Sequence, residues 1–123
     1  ELGEGQIWEA AMAASAYKAD NLVAIVDQNG LQAMGKVIER LNTNPLPEKW
    51  KSFGWNVVEI NGHNMEENLA ALDEAETVKG QPTVIIAHTI KGKGISFAEN
   101  VVGFHNGVLT EETYNKALQE LSI

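Results

Sequence analysis

The order of helices and strands along the chain predicts an α/β fold, with a parallel sheet and helices on both of its faces. The first observation behind this prediction is a set of three apolar runs, at residues 22–26, 55–60 and 83–89. Continuous apolar runs are typical of strands that are buried on both faces of a parallel sheet. The second observation is that helical segments separate these runs, which implies right-handed crossovers between parallel strands. The length of 123 residues suits one compact domain.

The helices are predicted from their composition and from the residues at their ends. The first is rich in alanine and other strong helix formers, and its apolar residues recur every three or four positions. Asn64 and Thr110 are suitable N-cap residues for the two later helices. Helices are predicted over residues 6–18, 46–53, 65–78 and 110–121, and the stretch 31–47 is predicted to be irregular.

Charge and cysteine content exclude several classes of function. Asp and Glu outnumber Lys and Arg by 17 to 9, which gives a formal net charge of −8. The sequence has no basic patch with interleaved aromatic residues, which argues against nucleic acid and against anionic membrane surfaces. The chain has no Cys, which excludes disulfides, Cys-based zinc sites and thiol catalysis, and fits a cytoplasmic protein. It also has no apolar run of transmembrane length.

Three loops are expected to form the functional site. In open α/β sheets, ligands bind beyond the carboxyl ends of the strands. Residues 27–31 follow the first predicted strand, and residues 91–94 form a glycine-rich turn after the third. The loop at residues 1–5 leads directly into a helix and is expected on the same rim of the sheet.

The segments around these loops resemble those of a known enzyme family. Residues 1–10 read ELGEGQIWEA, and residues 29–32 read NGLQ. Three further segments are similar to that family: WKSFGW at 50–55, NGH at 61–63 and KGKGISF at 91–97. Together, in this order and spacing, they resemble the thiamine-diphosphate-binding domain of transketolases. The similarity is to the small N-terminal subunits of split bacterial transketolases, and it covers the second half of that domain.

The resemblance implies a site for thiamine diphosphate and magnesium. In the family, a magnesium ion bridges the protein and the diphosphate. Carried over, the side-chain oxygen of Asn29 and the backbone carbonyl of Leu31 would be metal ligands. Gly5 and Lys91 would join them in binding the cofactor. The motif Asp of the family falls two residues before Glu1, so we expect this chain alone to bind magnesium and cofactor weakly.

The same resemblance implies an assembly and a reaction. Glu4 and Glu9 would be interface carboxylates that link the active sites of a dimer, and His105 would lie near cofactor and substrate. A separate pyrimidine-binding domain or subunit would complete the site, in a homo- or hetero-oligomer. The implied reaction transfers a two-carbon ketol unit between sugar phosphates.

Each of these residues also has a simpler interpretation. Glu4 and Glu9 suit a helix N-terminus through the helix dipole. Asn29 followed by glycine is a common turn, and Lys91 and His105 could be solvated surface residues. Two alternatives for the whole chain also remain at this point. It could belong to another thiamine enzyme, such as a deoxyxylulose-phosphate synthase or a 2-oxo-acid dehydrogenase component, or it could be a non-catalytic assembly fragment.

Overall fold

A computed structural model describes residues 1–121 and contains four α-helices and five strands in this part of the chain. The helices are α1 Gly5–Ala16, α2 Leu46–Ser52, α3 Met65–Thr77 and α4 Glu111–Leu121. The strands are β1 Val23–Gln28, β2 Leu31–Gln32, β3 Gly35–Lys36, β4 Asn56–Asn61 and β5 Thr83–His88. Short 3₁₀ helices span Val37–Glu39 and Val102–His105.

Three of these strands form a parallel sheet in the order β1-β5-β4. β5 lies at the centre and pairs in parallel with β1 on one side and with β4 on the other. The register places Thr83 opposite both Val23 and Asn56. The chain therefore visits both edges of this sheet before it fills the centre, and the prediction of neighbouring parallel strands is confirmed.

Helices cover both faces of the sheet, as predicted. On one face, α1 and α2 contribute Ala11, Leu46 and Trp50 to a core that includes Val84 and Ile86 of β5. On the other face, α3 packs Ala71 against apolar side chains of β4 and β5. That second core consists of Ile60, Ala71, Ile85 and Ala87, with Val58 packed against it. The side chains of Val84, Ile85 and Ile86 are fully buried because β5 is covered on both faces.

β1 differs from the prediction, which made residues 22–26 a strand buried on both faces. Val26 is buried beneath α1 and α2, but Ile25 is 65% exposed and Val23 is 36% exposed. The second core takes its sheet residues from β4 and β5, and no β1 side chain belongs to it. β1 is also an edge strand of this sheet. The apolar run identified a strand correctly, but the prediction of burial on both faces was wrong.

Aromatic side chains join α1 to α2 on the first face. The Trp50 ring lies 5.4 Å from the Trp8 ring and 4.8 Å from the Trp55 ring, centroid to centroid. Trp55 Nε1 donates to the Ala11 carbonyl at 2.8 Å, and Trp8 Nε1 donates to the Leu2 carbonyl at 2.9 Å. The three tryptophans are therefore packing residues, and Trp8 also anchors the loop that precedes α1.

The structure corrects one local sequence prediction and confirms another. The stretch 31–47 is not irregular throughout, because β2 and β3 form an antiparallel hairpin that is followed by a 3₁₀ helix. Gly30, with φ of 74°, turns the chain into this hairpin, a conformation that favours glycine. The N-cap prediction is confirmed for Asn64, whose side chain accepts from the amides of Glu66 and Glu67.

Among residues 1–121, no helix has the length and apolar character needed to cross a membrane.

Candidate functional site

A cleft of about 730 Å³ opens at the carboxyl end of β1. The loop before α1 and the turn from β1 into β2 both line it. Lys91, after β5, and His105, in the second 3₁₀ helix, complete the rim. This is the position at which open α/β sheets bind ligands, and the three predicted loops do meet there.

Asn29 has its side-chain amide held at both ends. Its Oδ1 accepts from the Leu31 amide at 2.9 Å, and its Nδ2 donates to Asp27 Oδ2 at 3.3 Å. This is the local hydrogen bonding that makes Asn a turn residue, so the simple interpretation of Asn29 is correct as far as it goes. An amide oxygen has two lone pairs, so one acceptor position on Asn29 Oδ1 is left after the Leu31 contact.

The Leu31 carbonyl points away from its own hairpin. The Val37 amide donates to the Gly30 carbonyl at 2.9 Å, while Leu31 is paired with Lys36. In an antiparallel ladder, this bond identifies Leu31 and Lys36 as a non-hydrogen-bonded pair, whose backbone polar groups face outwards. The Leu31 amide accordingly bonds to Asn29, and its carbonyl is directed outwards on a residue that lines the cleft.

The structure brings together five of the seven predicted site residues. Those that line the cleft are Glu4, Asn29, Leu31, Lys91 and His105. Gly5 and Glu9 are outside its lining: Gly5 is the first residue of α1, and Glu9 is exposed further along the same helix. The functional roles predicted for all seven residues stay predictions.

The charges around the cleft are mostly negative. Among the residues that line it, Glu1, Glu4 and Asp27 carry carboxylates, and Lys91 carries the ammonium group. The fifth ionisable residue of the lining is His105. A diphosphate placed here would meet more negative than positive charge, so a divalent cation between the protein and the phosphates would favour binding.

Two hydrogen bonds hold the loop that carries Lys91 in place. The Asn100 amide donates to the Lys91 carbonyl at 2.9 Å, which closes the loop. Gly94 donates its amide to Glu99, and this hydrogen bond, with the nearby Lys93 ammonium, lowers the pKa of the Glu99 carboxyl.

Helix α4 contributes a second tie to the same loop. Ser96 donates to Glu120 through both its hydroxyl and its amide, at 2.6 Å each. These two hydrogen bonds lower the pKa of the Glu120 carboxyl below its usual value, and Lys116 adds to the effect. The loop that positions Lys91 is thus built on charge-assisted hydrogen bonds.

Sequence reasoning assigned no binding or catalytic role to three residues that support the cleft, namely Asp27, His63 and Thr89. Thr89, just after β5, donates its hydroxyl to Asp27 Oδ1, which links the ends of β5 and β1. His63 Nε2 accepts from the Ile90 amide at 2.7 Å and so holds the other side of the same segment. The available signal was positional, because all three residues lie at or just after the ends of the apolar runs. Their contacts depend on strand order, which no local pattern specifies.

The donors at the β1–β2 turn fit a hard divalent cation. Magnesium prefers oxygen ligands and commonly bridges one or two protein groups to substrate phosphates. Asn29 Oδ1 and the Leu31 carbonyl are neutral oxygens on the same turn, and both residues line the cleft. Within residues 1–121, no group of three His, Cys, Asp or Glu side chains is arranged to hold a metal on its own. These two oxygens therefore fit a shared site, in which other ligands complete the coordination.

The fold and the cleft define a ligand-binding α/β domain, and comparison with known sequences gives its family. Residues 1–123 match the family described as transketolase, thiamine diphosphate binding domain. The chain belongs to this family, which confirms the resemblance inferred from its sequence.

Two relatives are subunits of bacterial transketolases. The chain is 43% identical over 122 residues to one subunit of the apulose-4-phosphate transketolase of Phocaeicola vulgatus, and the match covers 99% of this chain and 43% of the relative. It is 46% identical over 121 residues to a 6-deoxy-6-sulfo-D-fructose transketolase subunit of a Clostridium species, with 98% and 44% covered. The chain therefore spans less than half the length of these relatives.

A solved structure supports the same assignment. The crystal structure of the Campylobacter jejuni transketolase matches with a TM-score of 0.85 and 34% identity, over 97% of this chain and 18% of that one. The relatives and this structure are transketolases or transketolase subunits. They do not favour the two alternative thiamine enzymes.

Proposed function

We propose that this chain forms the diphosphate- and magnesium-binding part of an enzyme that transfers a two-carbon ketol unit between sugar phosphates. One observation carries the proposal: in a chain of the transketolase family, Asn29, Leu31, Lys91 and His105 line a single cleft at the carboxyl end of the sheet. Thiamine diphosphate, when bound, supplies the carbanion chemistry, while the protein supplies binding and orientation.

The turn from β1 into β2 would hold the magnesium ion. Asn29 Oδ1 and the Leu31 carbonyl are the two donors on that turn, and the hydrogen bond between Asn29 Oδ1 and the Leu31 amide keeps the two residues together. Because both donors are neutral, they attract a dication less than a carboxylate does. We therefore expect an additional anionic ligand in the working enzyme and weak magnesium binding by this chain alone.

Lys91 and His105 would act on the rim that faces cofactor and substrate. Among the described residues that line the cleft, Lys91 is the one Lys or Arg. The hydrogen bond from the Asn100 amide to its carbonyl keeps its backbone in place. Its ammonium group would attract the diphosphate or a sugar phosphate. His105 is exposed on the same rim and could donate a hydrogen bond or a proton to an oxygen of either one.

The rest of the active site would come from other protein. We propose that the partner is a pyrimidine-binding domain or subunit, in a dimer or larger assembly, with Glu4 and Glu9 at the interface. Two relatives are named as subunits of transketolases, one for apulose 4-phosphate and one for 6-deoxy-6-sulfo-D-fructose, and they support a split enzyme of this kind. Localisation in the cytoplasm is part of the same proposal.

The test compares two asparagines of the β1 region in the complete two-component enzyme. Asn29 lies just after β1, and Asn21 lies just before it. We expect Asn29→Ala to weaken the binding of thiamine diphosphate with magnesium by about tenfold or more, because it removes a metal ligand. Asn21→Ala should leave that affinity unchanged.

Isothermal titration calorimetry with thiamine diphosphate and magnesium gives both affinities directly. Equal affinities for the two variants would show that the metal site lies elsewhere. Thermal unfolding of each variant without ligand serves as the control for folding.

A further inference from the structure

Asp27 lies between the proposed metal ligand and the end of the central strand. One of its carboxylate oxygens accepts from Asn29 Nδ2 at 3.3 Å. The other accepts from the hydroxyl of Thr89. Both oxygens are therefore engaged by protein donors, and the three side chains form one chain of hydrogen bonds from β5 to the turn after β1.

The contact with Asp27 determines which way the Asn29 amide faces. A carboxylate accepts hydrogen bonds and donates none. If the Asn29 amide were reversed, its oxygen would face Asp27 Oδ2 without a hydrogen between them, and its NH₂ group would face the Leu31 amide. In the observed orientation, both contacts are satisfied and the amide oxygen lies on the side of Leu31.

Thr89 in turn determines where the Asp27 carboxylate lies. In the sheet register, Asp27 is opposite Ala87, so Thr89 is two residues further along and bonds back across the strand pair. The Thr89 amide also donates to the Gln28 carbonyl, which ties the ends of the two strands together. The position of Asp27 thus depends on a residue that follows β5 and on the register of the sheet.

We propose that Asp27 and Thr89 are positioning residues, which hold the Asn29 amide oxygen towards the metal. The proposal rests on the proposed function, because it assumes that Asn29 ligates magnesium. Partners that orient a metal ligand typically contribute ten- to a hundredfold in affinity. Asp27 acts through Asn29 here, and its negative charge near the site adds a favourable interaction with a dication.

The decisive variants are Thr89→Val and Thr89→Ser in the complete two-component enzyme. Valine keeps the branched shape and removes the hydroxyl, whereas serine keeps the hydroxyl and removes a methyl group. We expect Thr89→Val to weaken magnesium-dependent binding of thiamine diphosphate by about tenfold or more, and Thr89→Ser to restore most of the affinity. Thr77→Val is the matched control, because the Thr77 hydroxyl donates to the Glu74 carbonyl at the end of α3.

A second measurement separates positioning from folding. The side-chain amide resonances of Asn29 in nitrogen-15 spectra of the ligand-free protein should shift in Thr89→Val and stay near their original positions in Thr89→Ser and Thr77→Val. If Thr89→Val does not fold, Asp27→Ala is measured instead, since it removes both of the oxygens that accept from Asn29 and Thr89. It should show the same loss of affinity and the same shift.

The outcomes distinguish this inference from the proposed function. Unchanged affinity in Thr89→Val, or failure of serine to restore it, would overturn the positioning role while Asn29→Ala still weakens binding. If Asn29→Ala also binds normally, the metal site itself has been assigned to the wrong residues.

Discussion

Ile25 of β1 and Ile85 of β5 are direct neighbours in the sheet, yet their surroundings are opposite. The register pairs them, and they lie on the same face. Ile85 is 2% exposed and belongs to the core beneath α3, whereas Ile25 is 65% exposed. The two strands have similar apolar sequences, so the difference comes from position. β5 has a strand on each side and helices on both faces. β1 has a neighbouring strand on one side only, and only one of its faces contributes to a helix-covered core.

This contrast shows what an apolar run does and does not specify. Alternating or continuous apolar residues specify that a segment is suited to burial. They do not specify which other element covers it, because that depends on strand order and on the placement of helices. Among the described residues, β1 keeps one apolar side towards solvent, while its other side contributes Val26 to the core.

The largest effect is expected for the isoleucine pair itself. Ile85→Ala should lower the free energy of unfolding by about 2–5 kcal/mol, because it leaves a cavity in a packed core. Ile25→Ala should cost less than about 1 kcal/mol, since most of the side chain is already in water. Urea unfolding of the isolated chain, followed by far-ultraviolet circular dichroism, measures both. Similar costs for the two variants would mean that α3 or another element covers β1 in solution.

A smaller effect is expected at the turn after β4, next to the end of β5. A Cβ atom on Gly62 would lie 2.5 Å from Thr89 Cγ2 and 3.0 Å from Ala87 Cβ. Gly62→Ala should therefore destabilise the chain by about 1–3 kcal/mol, the usual cost of overpacking. At Gly103, a Cβ atom would meet nothing within 4 Å, so Gly103→Ala is the control. If Gly62→Ala is as stable as the original chain, the turn after β4 is not tightly packed against the end of β5 in solution.

The smallest effect is a dependence on pH in the loop that carries Lys91, which follows β5. The folded-state pKa values of Glu99 and Glu120 lie below their usual values, because Gly94 and Ser96 donate to them. Stabilisation from these groups is present above the unfolded-state pKa of about 4.3, and it is lost as the pH falls through the lowered folded-state values. Hydrogen-exchange protection of the Ser96 amide should decline over that range.

The control for this prediction is Glu120→Gln, which removes the titrating group that binds Ser96. In this variant, the hydrogen-exchange protection of the Ser96 amide should be lower than in the original chain at neutral pH. It should also no longer change with pH in that range. If protection in the original chain is constant with pH, the Ser96–Glu120 contact does not stabilise the loop in solution.

Much of the fold and part of the site followed from the sequence, for physical reasons. Asn64 was predicted as an N-cap, and the three strands were found as apolar runs, because these signals are local. The positions of Asn29, Leu31, Lys91 and His105 came from resemblance combined with the rule that ligands bind at the carboxyl ends of strands.

The remaining contacts depend on distances that a local pattern does not contain. Thr89 is 62 positions from Asp27 and bonds to it because β5 lies beside β1. The exposure of Ile25 has the same origin, because β1 is an edge strand and the core beneath α3 takes its sheet residues from β4 and β5. The hairpin at β2 and β3 has strands of only two residues each, too short for a recognisable pattern.

Because the tryptophans are clustered, the intrinsic fluorescence of this chain reports on one region of the fold. Its three tryptophans form one group of ring contacts, in which Trp50 of α2 contacts both Trp8 of α1 and Trp55, just before β4. Trp8 also donates to the carbonyl of Leu2, which lines the cleft. Intrinsic fluorescence therefore reports on the helical layer beside the ligand site, whereas detachment of α3 from the opposite face would leave the emission spectrum almost unchanged.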